Sequence, residues 1–217
     1  EAKIGDKLTV GQHMNISFSD TRPGVDEAIE GAIRITPLLP AYFDDGAFAG
    51  TNGADLGNTR NPLAQLKRSE NDFFKRLNFV GDIYASYELI DGLTLKTNIA
   101  GGLNFFNARQ FTSVTPEHSE IVTKNTLIEQ SQNGYNWNWT NTVNYVGSFG
   151  NHNINALLGM EAVKNGGKGH GVQRSEYLYE TPEFYLLSNA SGDPSIDYAY
   201  DGFNSLLSYF ANVNYNF

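Results

Sequence analysis

The sequence predicts an all-β chain, a transmembrane antiparallel β-barrel fragment of about six long strands with long extracellular loops. Three observations predict it. Six segments alternate apolar and polar residues with a period of two, the signature of a strand with one apolar face. Each runs roughly 12 residues or more, whereas strands of globular domains run about 5–6 and tilted membrane-crossing strands need about 9–11. The joins alternate strictly between tight and long, the asymmetry of outer-membrane barrels.

In chain order, the segment at 7–20 sets Leu8, Val10, Met14, Ile16 and Phe18 on one face and Thr9, Gly11, His13, Asn15 and Ser17 on the other. The segment at 76–90 opposes Leu77, Phe79, Ile83, Tyr87 and Leu89 to Asn78, Asp82, Tyr84, Ser86 and Glu88. Asp91-Gly92 makes a tight turn into 93–107, where Leu93, Leu95, Ile99, Leu103 and Phe105 oppose Thr94, Lys96, Asn98 and Asn104. The segment at 135–146 opposes Tyr135, Trp137, Trp139, Val143 and Tyr145 to Asn136, Asn138, Thr140, Thr142 and Asn144. A turn over 147–151 leads into 152–164, whose apolar face is Ile154, Ala156, Leu158, Met160 and Ala162. The last segment, 205–217, opposes Leu207, Tyr209, Ala211, Val213, Tyr215 and Phe217 to Ser208, Asn212, Asn214 and Asn216. On a helix these apolar residues would point to all sides. With the tight turns on the periplasmic side, Tyr87, Tyr145, Tyr215 and Phe217 fall at the inner rim. Phe105, Tyr135, Trp137 and Tyr209 fall toward the outer rim, giving two aromatic girdles at the lipid interfaces.

Composition removes other classes. The chain has 217 residues, no Cys and a formal charge of −9. It therefore holds no disulfide framework, thiol centre or Cys-ligated zinc, and a pI near 4.8 gives the wrong field for nucleic acid. No apolar run is long enough for a transmembrane helix. The N-terminal residues 1–6 carry no apolar stretch and assign no compartment. Mean hydropathy of −0.38 has the value of a soluble protein, but a barrel wall needs apolar residues only at alternate positions.

Four stretches carry a family resemblance. They are Thr36-Pro37-Leu38-Leu39-Pro40-Ala41-Tyr42-Phe43-Asp44-Asp45-Gly46 with Asn61-Pro62-Leu63-Ala64; residues 77–95 around Asp91-Gly92-Leu93; Trp139-Thr140-Asn141-Thr142-Val143-Asn144-Tyr145 with 152–161; and 205–215. In this order the chain resembles the SusC/RagA group of TonB-dependent outer-membrane transporters. Ala211-Asn212 departs from the Gly-Arg expected there, a detail of the wall. The resemblance implies a middle portion of a barrel of roughly 22 strands, with the N-terminal plug domain absent from this chain. It implies outer-membrane import of a polar nutrient, a glycan or a peptide. The implied partners are the remaining barrel strands and plug, a SusD-like surface lipoprotein, TonB acting through the plug, and the lipid bilayer. Physics agrees on one point: single-chain outer-membrane barrels start at 8 strands, so six cannot close.

Candidate functional residues are sparse. Tyr42, Asp44 and Asp45 in the first long loop could stack on and hydrogen-bond a sugar, or contact a capping lipoprotein, but Asp-Asp-Gly has ordinary turn composition and a turn is the expectation. Tyr84, Glu88 and Lys96 lie on the polar face, where Glu88 and Lys96 could line a substrate path, meet the plug or form a cross-strand salt bridge. Asp193, Asp197 and Asp201 supply calcium-type oxygens but lack the EF-hand spacing, so a solvated acidic loop is the expectation. Residues 165–171, rich in Gly, lack the Walker spacing and read as a flexible loop. No nucleophile–base pair is present, and no carboxylate pair is placed as a glycoside hydrolase needs. The reading is therefore not an enzyme, with no cofactor and no metal. The rival is a soluble all-β glycan-binding or structural surface module.

Overall fold

A computed structural model describes residues 1–217 as one antiparallel sheet with folded loops at one end. The strands are β1 (Ala2–Ile4), β2 (Leu8–Thr21), β3 (Phe73–Ile90), β4 (Leu93–Thr112), β5 (Thr126–Phe149), β6 (His152–Ser175) and β7 (Ser195–Asn216). Spatial order equals chain order, so every strand pairs with its sequence neighbours in a meander. Two short helices, α1 (Ala28–Arg34) and α2 (Pro62–Ser69), lie in the first long loop. No helix is long and apolar enough to cross a membrane.

The six long strands are those expected, but they run further. β5 begins at Thr126, β6 ends at Ser175 and β7 begins at Ser195. The Gly-rich stretch read as a flexible loop is thus the outer half of β6, paired with β5 from Gly134↔Gly167 to Thr126↔Ser175. The β6 extension is Gly-rich and polar on both faces, β5 carries Leu127-Ile128 only at its outer end, and β7 puts Tyr198 and Tyr200 on the polar face, so the ladder continues where the alternation of the wall stops. Alternation reports a contrast between two environments, not strand pairing itself. β1 pairs Ala2↔Val10 to Ile4↔Leu8 and adds a third tight hairpin at the turn end.

At the turn end, Gly92 has φ 78° and a Cβ there would stand 2.1 Å from the Val146 carbonyl oxygen. Only glycine fits such a position. The sheet has no second layer. Only 21 of 217 residues are buried, and the named buried side chains lie in the long loops or at the loop ends of the strands. The apolar side chains of the wall are left uncovered by protein: Ile16, Ile83, Ile99, Leu158 and Val213 are among the exposed large hydrophobics.

Candidate functional site

Register sorts the wall into two faces. One row runs Gln12, Ile83, Ile99, Trp139, Ala162 and Leu207 across the six long strands. The row next to it runs His13, Asp82, Ala100, Asn138, Val163 and Leu206 on the opposite face. Partners in a row share a face, and successive rows alternate.

On the apolar face three tyrosines form a staircase. Tyr87 of β3 shares a row with Leu95, Val143, Leu158 and Ala211. Tyr145 of β5 lies two residues beyond that row toward the turns, and Tyr215 of β7 lies four beyond it. The displacement is one residue per strand. With about 3.4 Å per residue and about 4.8 Å between strands, the three rings are level if the strands tilt by about 35°, the tilt of membrane barrels. At that tilt Tyr135 stands about 28 Å above Tyr145 in the same strand, matching an apolar band of about 25 Å with its girdles. Phe105, Trp137 and Phe203 fall near the level of Tyr135. Tyr209 does not: six residues from Tyr215, it sits mid-band, and Phe203 holds the rim position on β7. At the lower rim the Tyr215 hydroxyl lies 2.6 Å from His152 Nδ1, and His152 also packs against the Phe217 ring. Uncharged polar groups in the band find partners where they can; Trp139 Nε1 donates to Thr97 at 3.0 Å.

The opposite face is polar. Asn104 donates to Asn78, which donates to Ser17 at 3.3 Å. Thr140 donates to Glu161 at 3.2 Å. Asn136, Asn165 and Asn204 occupy one row, and Gly134, Gly167 and Gly202 the next but one on the same face, so an amide-rimmed recess crosses β5, β6 and β7. At mid-height of the wall His13 Nδ1 lies 3.0 Å from Asp82, and its ring stacks on Tyr84 nearer the turns. Tyr84 donates to Glu1 at 3.1 Å. The salt bridge considered between Glu88 and Lys96 is not formed. Lys96 pairs across with Ser86, and its ammonium sits 5.0 Å from the Tyr84 ring centroid instead.

The long loops fold into a cap. Asn61 organises the first: its Oδ1 accepts from Leu63 and Ala64 N–H at 3.0 and 3.3 Å, capping α2, while Nδ2 donates to the Ala41 and Ala49 carbonyls at 2.9 and 2.8 Å. Pro62 follows as the first helical residue, where its missing N–H costs nothing. Asp44-Asp45-Gly46 is the tip of a small hairpin. Asp45 accepts from Ala47 N–H at 2.9 Å and Gly46 has φ 83°, so Asp45 acts as a turn residue. Tyr42 stacks on Phe48, and Arg68 covers the Phe48 ring. Arg68 then grips Glu117 of the second loop with two bonds of 2.6 and 3.1 Å. Burial raises the Glu117 carboxyl pKa, but the Arg68 hydrogen bonds and charge outweigh it and hold the group below the ordinary carboxylate range. His118 is buried with Nε2 3.0 Å from the Asn58 carbonyl and Nδ1 2.9 Å from the Glu120 N–H. Nδ1 also lies 2.8 Å from the Glu120 carbonyl oxygen.

The third loop closes on the strand ends. Phe111, Leu127, Tyr177, Tyr185 and Ala190 form the one buried apolar cluster, with Tyr185 stacked on Phe111 at 3.9 Å. Asn125 donates to the Tyr177 carbonyl at 2.9 Å and accepts from its N–H at 2.7 Å. Arg174 donates to the Gly192 and Leu187 carbonyls. Burial, then the charges of Glu180 and Asp72, push the Tyr185 phenol up to about 12. Burial also raises Asp72, against the Phe111 N–H and Arg109. Asp193, Asp197 and Asp201 do not gather: no group of three or more His, Asp or Glu is placed to hold a metal. The cross-loop partners Arg68, Glu117, His118 and Asn125 carried no local sequence signal, because each bonds residues dozens of positions away.

No family model matches the chain. Similar curated proteins are TonB-dependent receptors. One from Formosa agariphila is 26% identical over 99% of the chain and 22% of its own length. A second from that organism is 30% identical over 89% of the chain and 19% of its own. SusC of Bacteroides thetaiotaomicron is 24% identical over 87% of the chain and 20% of its own. Solved structures of the RagAB peptide transporter and the closed-closed RagAB peptide importer match all of the chain and 25% of theirs, with TM-scores of 0.71 and 0.73 at 19% and 18% identity. They show the fold. The chain spans about a fifth of the length of the curated relatives it matches. From one end to the other, it is similar in sequence and fold to part of the barrel of SusC/RagA-type TonB-dependent transporters.

Proposed function

We propose that the chain is part of the wall and outer loops of a TonB-dependent importer in the bacterial outer membrane. The observation that carries this is the tyrosine staircase on a face that bears almost no charge, backed by a polar face on the other side of the same strands. A soluble module has no reason to level its aromatics at the tilt of a membrane barrel. Both sheet edges hold unpaired backbone groups, each costing several kcal/mol in hydrocarbon. Further strands of the same barrel would pair them. A plug would fill the lumen, TonB would act through it, and a SusD-like lipoprotein would cover the loops.

The cargo is a polar nutrient, a glycan or a peptide. The polar face supports this: Asn136, Asn165, Asn204, Thr140 and Tyr84 offer neutral donors and acceptors to a wetted path, with Lys96 and Glu88 toward the periplasmic end. Tyr42 and Asp44 are the outer-loop groups free to meet cargo or lipoprotein. Nothing in this arrangement calls for catalysis or a cofactor.

The chain has no Cys, which makes cysteine scanning direct. Single Cys residues are placed in the full-length protein, on a background cleared of other reactive thiols, and challenged with a membrane-impermeant maleimide. Positions 44 and 58 should label in intact cells. Position 151 should label only after the outer membrane is opened. In purified protein in bilayers, 138 and 165 should label and 158 and 160 should not. Equal labelling of both faces, or a full-length protein soluble without detergent, overturns the proposal.

A further inference from the structure

Between the two girdles, the apolar face carries one charged residue, Lys164. It sits directly across from Trp137 on β5 and Ser205 on β7, just inside the outer rim. A charge there is costly unless its head escapes the hydrocarbon. Its ammonium lies 4.4 Å from the Phe203 ring centroid, two residues nearer the outer rim, so the side chain climbs toward the headgroups as snorkelling lysines do. Four residues further out on the same strand and face is Lys168, which is exposed. Gly166 lies between them with the Tyr135 ring over it, so the two ammonium groups flank that ring. Neither has an ion-pair partner. The six salt bridges of the chain involve other groups, and Asp201, directly opposite Lys168 in register, does not come within bonding range.

From this we infer that Lys164 and Lys168 contact the phosphorylated headgroup of an anionic lipid in the outer leaflet, at the rim of β6, with the Tyr135 ring between them and Phe203 against Lys164. Two ammonium groups without carboxylate partners at headgroup height, one unable to find water without rising there, are complementary to a phosphorylated headgroup. The inference rests on the apolar face meeting lipid.

The test uses the full-length protein in detergent, titrated with diphosphoryl lipid A and with the same lipid stripped of its phosphates, and read by native mass spectrometry. The wild type should prefer the phosphorylated lipid, and the preference should fall with salt. The double variant Lys164→Gln, Lys168→Gln should lose about tenfold in affinity for it, at roughly a factor of a few per lysine. A charge-matched control, Lys96→Gln with Lys124→Gln, should change it less than about twofold. Equal binding of the two lipids, or an unchanged preference in the double variant, overturns the inference. So does full competition by millimolar inorganic phosphate, which would identify a free-anion site instead. A protein that needs detergent and passes the cysteine scan but shows no phosphate preference refutes only this site. A protein soluble without detergent refutes the membrane reading as well.

Discussion

Ile99→Arg tests the assignment of faces most directly. Ile99 lies at mid-height on the apolar face, 58% exposed and with no protein over it. Its row also contains Ile83 and Trp139, both apolar, so no carboxylate waits across the strand. Arg on the lipid face of a barrel at the midplane costs roughly 2–4 kcal/mol, a factor of roughly 30 to 1000 in the folding equilibrium. One residue on, Ala100 faces the other way and stands opposite Asp82. Ala100→Arg gains an opposite charge across the strand and should change stability by less than about 1 kcal/mol. Tyr87→Arg, at the inner girdle, should fall between, at about 0–1 kcal/mol for the charge itself. The assay is folding of the full-length protein into lipid vesicles across a urea series, with the folded fraction read from the heat-modifiable band on a gel. The expected order of midpoints is Ala100→Arg above Tyr87→Arg above Ile99→Arg. If Ile99→Arg and Ala100→Arg cost the same, the face called lipid-facing is not in lipid.

Three further outcomes concern the cap. Arg68→Met leaves the Glu117 carboxylate, 10% exposed, without its bidentate partner; loop docking should weaken by about 2–4 kcal/mol, seen as faster amide exchange at Asn52, whose N–H donates to the Glu117 carbonyl. Because the folded carboxyl pKa of Glu117 is lowered, its contribution is full above the unfolded value and is lost as pH falls through the folded one. Exchange protection of the same amide should therefore drop only in acid below the ordinary carboxylate range. Asn61→Ala removes the α2 cap and two amide donors; a loss of about 1–2 kcal/mol should appear as faster exchange at Leu63 and Ala64, with the strands unaffected. Tyr185, raised to about 12, favours the docked third loop below its unfolded value near 10 and loses that contribution as pH climbs toward 12. Burial raises the Tyr177 phenol of the same cluster too, so ultraviolet titration should show late phenols tied to loop release, and Tyr185→Phe should remove one of them.

The wall was legible because a bilayer writes a period of two into any strand that crosses it. The same cause set the limit of legibility. Once β5 and β6 rise past Tyr135 and Lys164 they leave the band, both faces meet water, and Gly and Asn replace the alternation although the ladder continues to Thr126↔Ser175. A reader of periodicity stops where the lipid stops. Helix α2 was not read from the sequence: it starts on Asn61-Pro62, a cap followed by a first-turn proline, and its 8 residues are too few for a periodic stripe. Helix α1, with 7 residues and no capping side chain, offered nothing to read. Lys96 was rightly set on the polar face, yet its choice of Tyr84 over Glu88 is a matter of side-chain reach that spacing does not encode. Lys164 was passed over because it closes an alternating segment and looks like ordinary punctuation. It becomes unusual only when register shows that nothing else charged shares its face between the girdles.

Charge follows the same division between wall and cap. The three long loops carry fourteen acidic and six basic side chains, which is eight of the nine surplus negative charges. The strands and tight turns are therefore close to neutral overall, with their charges, Lys164 apart, on the polar face or beyond the rims. Mean hydropathy adds these two populations into one number of −0.38, and the result describes neither. A wall one sheet thick exposes half its side chains to lipid and half to water, so its average is polar even when its outer face is oil-like. An acidic cap lowers the average further. It also sets a negative field at the loop end of the wall, which would disfavour the approach of anionic solutes while leaving neutral ones untouched.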